Sequence, residues 1–414
     1  MKPTIRFQLS FMMFLEFFIW GGWFVTLGTF LNNNLHASGL QSASVFSTQS
    51  WGAIIAPFII GLIADRFFNA EKILGILHIA GAVMMYQMYQ STDISSFYPY
   101  VLGYMVLYMP TLALVNSVAF NQMGNPEKEF SVIRVWGTIG WIVAGLAISY
   151  LFHWDAKGNA ESGFLKNTFL MSALTSLVLG VFSFTLPKTP PKKSTGEKVS
   201  VTEMLGLNAL KLLKDKNFLI FFISSILICI PLAFYYQNAN SFLSNIGVTN
   251  PTGKMTIGQI SEVLFLLLLP VFFSKYGFKK TILVGMLAWA VRYALFAYGN
   301  AGDLGFMLLI GIALHGVCYD FFFVSGQIYT NAKAGEKYKS AAQGLITLAT
   351  YGVGMLIGFW VAGLITDQYK LGENTFNYKM IWLIPSGIAL VVFLIFALLF
   401  KDEKKQAEIP QPTL

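Results

Sequence analysis

The sequence predicts an all-α membrane protein with twelve transmembrane helices in two six-helix halves. Three observations carry this expectation. Of the 414 residues, 55% are hydrophobic and only 12% charged, against about 25% charged in a soluble domain. Apolar runs recur at roughly 20 residues, the length a helix needs to cross a hydrocarbon core about 30 Å thick. One long polar stretch, Pro187 to Lys216, divides those runs six and six.

The spans lie near residues 7–31, 43–65, 72–90, 97–121, 127–152, 166–187, 217–246, 255–275, 280–299, 304–330, 339–366 and 378–400. The first is longer than a signal-peptide core, and no small-residue cleavage site follows it, so it reads as an uncleaved span. The chain then divides into a first half at 1–187, a basic linker at 188–216, a second half at 217–401 and a tail at 402–414. Within the linker, Val199 to Leu213 reads as a short amphipathic helix on the membrane surface. Cys229 and Cys318 both fall inside apolar spans and read as free packing residues.

Orientation follows from Lys and Arg placement. The termini, the linker and the connections on their side hold 21 Lys and Arg residues, the opposite connections five, and Arg134 and Arg292 lie inside spans. Both termini and the linker are therefore expected in the cytoplasm. The net charge of +8 is topological on this reading and implies no nucleic-acid partner.

The polar residues inside spans are the candidates for function. Asp320 lies seventeen residues after Asp303 and thirteen before Lys333, which at 1.5 Å per helical residue places it roughly 20 Å from either flank. A carboxylate at that depth is costly and points to a function. The alternative is a structural partner for a buried arginine. Gln259 and Glu262 share a face at i and i+3, with Glu262 again about 20 Å from the cytoplasmic side. Glu16 lies about 15 Å deep on one face with Trp20 and Trp23, either a cavity wall or packing. Asn125-Pro126-Glu127 reads as the start of a helix. Arg134 then lies about 12 Å along it, with Thr138 and Trp141 continuing its face. A cavity lining is preferred there to an arginine snorkelling to the surface.

Pro231 is expected to break its span, and Tyr235, Tyr236, Gln237, Asn238 and Asn240 follow, lining water or capping the helix. Arg292 is expected to pair with an acid on a neighbouring helix, Asp320 being one choice. His78 and His153 read as ordinary packing residues. His315, one turn from Tyr319 and Asp320, either contacts substrate, relays protons or packs. No nucleotide loop, zinc spacing or hydrolytic cluster stands out, so neither an ATP-driven pump nor an enzyme is expected, and no cofactor.

Gly61-x-x-x-Asp65-Arg66 and Lys275-x-Gly277-x-Lys279-Lys280 look like two partial copies of the loop signature of the major facilitator superfamily. FLEFFIWGGWFVTLGTF at 14–30, YMPTLALVNSVAF at 108–120, IRVWGTIG at 133–140, GQISEVLFLLLLPVFFSKYGFKK at 258–280, WAVRYALFAYG at 289–299 and LHGVCYDFFFVSGQIYTN at 314–331 resemble bacterial nucleoside permeases, the nucleoside:proton symporter family. The resemblance covers nearly the whole chain. It implies the major facilitator fold, a substrate site between the halves, alternating access, and proton-coupled nucleoside import across a bacterial inner membrane by a monomer.

By that resemblance the substrate contacts are Arg134, Thr138, Trp141, Gln259, Glu262 and Asp320. His315 and Tyr319 stand where members carry other aromatics. In span 7 the family's polar pair falls on Ala233 and Tyr236, so Gln237 is the expected substitute, and Glu16 stands where a relative has glutamine. Asp320, Glu262 and Glu16 are the candidates for the coupled proton, Asp320 foremost. A nucleoside suits this chemistry: ribose hydroxyls meet carboxylates and amides, and a base stacks on an aromatic for about 1–3 kcal/mol. The alternatives are a proton-coupled sugar symporter of the same fold and, more remotely, a polytopic enzyme acting on lipid. The sequence does not rank purines against pyrimidines.

Overall fold

The computed structural model describes residues 1–59, 68–124, 126–191, 207–372 and 374–401. The Gly61–Arg66 motif, the Asn125 cap and most of the linker lie outside them. The described chain forms two compact units. The first holds residues up to 191, together with Thr249–Gly253; the second holds the rest.

In the first unit, α1 runs Pro3–Gly21 and α2 Leu27–Asn33. The single span expected at 7–31 is thus interrupted. Gly21 and Gly22 are poor helix formers, and the turn after them lets Trp23 bury completely against Tyr104 and Phe169. Then follow α3 (Gly39–Ile59), α4 (Ala70–Gln90) and α5 (Ile94–Asn121). Asp93 starts α5 by accepting from Ser96 N at 3.0 Å, the usual work of an N-cap carboxylate. Helix α6 (Pro126–Leu146) opens on the expected proline and ends in a π-turn, Ala147–Leu151. Short α7 (Lys157–Glu161) precedes α8 (Asn167–Ser183). Helix α1 packs on α6 and α8, and α4 on α5 and α8. The α1–α6 approach is close because Gly140 has no Cβ to meet the Phe14 carbonyl.

The described part of the second unit begins with a 3-10 turn, Leu207–Lys214; of the amphipathic helix expected over Val199–Leu213, residues 199–206 lie outside the described residues. The turn's Ala209, Leu207 and Leu212 pack against Ala334, Ala342 and Leu345, while Leu210 is exposed. Helix α9 (Lys216–Asn245) is capped by Asp215, which accepts from Phe218 N at 2.8 Å. It passes through Pro231 unbroken, contrary to expectation, and Tyr293 Oη donates to the Pro231 carbonyl at 2.6 Å. A neighbour's hydroxyl can serve backbone groups that a proline disturbs inside a membrane.

Helix α10 (Pro251–Tyr298) is 48 residues long, twice a span. It holds the two runs expected at 255–275 and 280–299, divided at Gly277 with φ +76°. Helix α11 (Gly305–Tyr319) passes through a π-turn, Asp320–Val324, into α12 (Ser325–Thr347). Gly335, φ +64°, divides α12 in the same way. A second π-turn, Leu348–Gly354, leads to α13 (Met355–Gln368). A small hairpin of β1 (Lys370–Gly372) and β2 (Thr375–Phe376) precedes α14 (Tyr378–Leu399).

Counted among described residues, each unit thus contributes six long helical runs: α1, α3, α4, α5, α6 and α8 in the first; α9, the two parts of α10, the two runs parted at Gly335, and α14 in the second. Exposed apolar rows such as Leu264, Leu267, Leu268 and Val271 on α10, or Leu390, Val391, Leu394 and Leu398 on α14, are what a lipid-facing surface requires.

Candidate functional site

Two polar constellations lie inside these apolar bundles, one per unit.

In the second unit, Gln259 and Glu262 occupy neighbouring turns of α10, and His315 and Tyr319 occupy α11. The two helices touch because Gly316 has no side chain: a Cβ there would lie 2.5 Å from the Ser261 backbone. Ser261 Oγ fixes the contact by donating to the Ala313 carbonyl. This brings His315 Nε2 to 3.8 Å from Glu262 Oε2. His315 Nδ1 lies 3.1 Å from Arg292 Nη1. A guanidinium only donates, so Nδ1 accepts and the imidazole proton sits on Nε2, facing Glu262. The Tyr235 ring stacks on His315 and lies 3.7 Å under the Arg292 guanidinium. Glu262, His315, Arg292 and Tyr235 therefore form one chain across α10, α11 and α9.

Arg292 thus pairs with His315, not with Asp320 as the sequence allowed. His315 stands between α10's two runs and takes the guanidinium first. Asp320 is 1% exposed, and its Oδ2 has no hydrogen-bond partner among the described residues. It opens the π-turn, a distortion frequent at functional sites. The Glu262 side chain, by contrast, is 28% exposed. Tyr319 Oη lies 2.5 Å from Tyr351 Oη, and Tyr236 and Glu262 belong to the same electrostatic cluster. Tyr351 escaped sequence reasoning because it sits in an ordinary-looking apolar run. Gln237 and Asn238 are buried on α9. Asn238 caps nothing: its Oδ1 accepts from Thr366 Oγ1 on α13 at 3.3 Å.

In the first unit, Arg134, Thr138 and Trp141 follow one face of α6 and are all half-buried. The Arg134 guanidinium lies 4.1 Å from the Phe17 ring centroid, with no described carboxylate at salt-bridge distance. Trp141 meets Trp20 edge-on at 5.6 Å, and Trp20 meets Tyr108 likewise. Glu16, one turn from Trp20, points elsewhere. It is fully buried, with His78 Nε2 at 2.8 Å and Thr111 Oγ1 at 2.6 Å. His78, read from sequence as ordinary packing, is its partner. A sequence separation of 62 positions gave no local signal.

Among the described residues no group of His, Cys, Asp and Glu is arranged to hold a metal ion. Chemically, the second unit offers a half-open acceptor beside a histidine, a cation and phenols, and a buried acid with an unused oxygen.

YegT of Escherichia coli (strain K12) is 43% identical over 413 residues, covering 98% of this chain and 96% of its own. The nucleoside permease NupG of the same organism is 32% identical over 427 residues, covering 99% of each. The crystal structure of NupG superposes with a TM-score of 0.86 at 30% identity, over 96% of this chain and 100% of that one. Residues 3–405 match the family described as nucleoside H+ symporter, and the chain belongs to that family.

Proposed function

We propose that this protein imports nucleosides across the bacterial inner membrane together with protons, by alternating access, as a monomer with both termini in the cytoplasm. The observation that carries the reading is the pairing of two unlike acids in the second unit. Glu262 is partly open and backed by His315, whose other nitrogen is held by Arg292. Asp320 is enclosed, with one oxygen unpartnered.

Glu262 and Gln259 accept and donate to ribose hydroxyls, a role that needs an acceptor accessible from one side. Tyr319, His315 and Gln237 are further contacts from this unit. Arg134, Thr138 and Trp141 are the first unit's contribution, with Trp141 offering an aromatic face to the base. Asp320 carries the coupled proton. An ionised carboxylate enclosed away from water with an oxygen left unpartnered is disfavoured, so the enclosed acid holds its proton and yields it when water reaches it. The named relatives are transporters, and no enzymatic chemistry or cofactor is assigned here; the coupling ion is the proton.

Uptake by proteoliposomes under an imposed inward proton gradient tests the reading. Labelled nucleosides should accumulate, while nucleobases and disaccharides should not. Accumulation of a sugar in place of nucleosides would overturn it.

A further inference from the structure

The buried polar chain of the first unit has a property that the second unit's lacks: it can hold either of two proton counts without moving a heavy atom. Glu16 on α1 and His78 on α4 meet at 2.8 Å through Oε2 and Nε2. On its other side, His78 Nδ1 lies 3.1 Å from Ser176 Oγ on α8, and that oxygen also lies 2.9 Å from the His78 carbonyl. Thr111 Oγ1 serves Glu16 Oε1 at 2.6 Å, and Tyr108 Oη donates to the Glu16 carbonyl at 2.8 Å. Glu16 is 0% exposed and His78 2%.

Ser176 has one hydroxyl hydrogen and two places to point it. Aimed at the His78 carbonyl, it leaves its oxygen to accept from an Nδ1–H. The imidazole then carries a proton on Nδ1, a second proton lies between Nε2 and Oε2, and the pair is neutral overall. Turned toward Nδ1, the hydroxyl donates to a bare nitrogen. One proton then remains, on Nε2 facing the carboxylate, and the pair carries a net charge of −1. The two states differ by one proton and the rotation of one hydroxyl. A pair built only to hold helices together has no need of a partner that serves both.

The titratable and charged neighbours on every packed element are few. Helix α5 presents Tyr104 and Tyr108, α6 presents Arg134 beside Phe17, and α8 presents no ionisable side chain, only Ser172 and Ser176. Arg134, which acts electrostatically on Tyr108, is also a proposed substrate contact.

We propose that Glu16 and His78 form a second proton-binding site, within the first unit, that takes up and releases one proton during transport in addition to the one carried by Asp320. This rests on the reading of the protein as a proton symporter. Its consequence is that protons moved per nucleoside exceed what Asp320 alone supplies.

Two measurements test it. In proteoliposomes, the ratio of proton to nucleoside flux should fall by about one proton in Glu16→Gln and in His78→Gln; an unchanged ratio in both overturns the proposal. If the wild-type protein moves nucleoside with no proton at all, the symporter reading fails, and the second measurement decides this site by itself. It also decides if the variants do not fold. The wild-type chain has four histidines, few enough to assign by solid-state 15N NMR in lipid after replacing His36 and His153. The His78 Nδ1 resonance should pass from protonated to bare as pH rises, with Nε2 remaining hydrogen-bonded. An Nδ1 that keeps one state from about pH 5 to pH 9 overturns the proposal.

Discussion

Glu262 and Asp320 lie in one bundle yet differ in what surrounds them, and their substitutions should separate accordingly. Glu262 faces open space and His315. On the proposed reading, replacing it with glutamine, or Gln259 with alanine, removes a hydrogen bond to substrate without leaving a charge buried. A hydrogen bond to a charged group contributes roughly 1.5–3 kcal/mol, so nucleoside affinity should fall about tenfold to a hundredfold, read by titration calorimetry on purified protein. Unchanged affinity in both variants would remove this face from the substrate site. Asp320→Asn keeps the shape and removes the titratable proton. Accumulation driven by a pH gradient should collapse while nucleoside exchange suffers far less; retained proton-driven accumulation would eliminate Asp320 as the carrier. That both acids sit well inside long helical runs was legible in the sequence, from the count of apolar residues to the nearest flanking charge. Their partners were not. Nothing local distinguishes His315 from Asp320 as the mate of Arg292, or links His78 to Glu16, since those choices are made by helix packing between distant segments.

At the scale of the element, helix contacts here depend on absent side chains and on caps. Gly316→Ala should push α11 off α10, because the added Cβ meets Ser261 backbone that cannot turn away. Overpacking of this kind costs about 1–3 kcal/mol, seen as a lowered Tm, and it should also separate His315 from Glu262. Asp215 makes a second case. Burial pushes its carboxyl up, but the amide of Phe218 and the Lys333 ammonium outweigh that and hold it below its ordinary 3.8. A depressed carboxyl stabilises fully above the unfolded value and loses its contribution as pH falls through the folded one. Asp215→Ala should therefore lower stability by about 1 kcal/mol near neutral pH and by little in strong acid, checked by thermal unfolding in detergent at both. Element ends were the least legible part. Hydropathy does not register Gly21–Gly22 as a stop within span 1, nor the three π-turns, which look largely apolar.

For the whole molecule, the lysine asymmetry fixes an expected orientation. Both native cysteines are buried, so introduced ones can be read against a quiet background. Lys188→Cys should react with a membrane-impermeant maleimide only in inverted vesicles, and Lys370→Cys, in the exposed hairpin, only from outside intact cells. The opposite pattern would invert the topology. The two-half organisation was legible because each half repeats the same count of apolar runs around one polar stretch.

The π-turns at Asp320–Val324 and Leu348–Gly354 act as a change of azimuth built into a continuous rod. Each inserts one residue relative to an α-helix, and one residue of an α-helix subtends about 100°. The stretch before each turn can therefore face one direction while the stretch after it faces another, within a single span. His315 and Tyr319 are aimed by α11 alone, and Tyr329 and Thr330 by α12 alone. A substitution that re-aims one end of the span need not re-aim the other, so the polar chain and the packed end beyond the turn can drift independently in sequence.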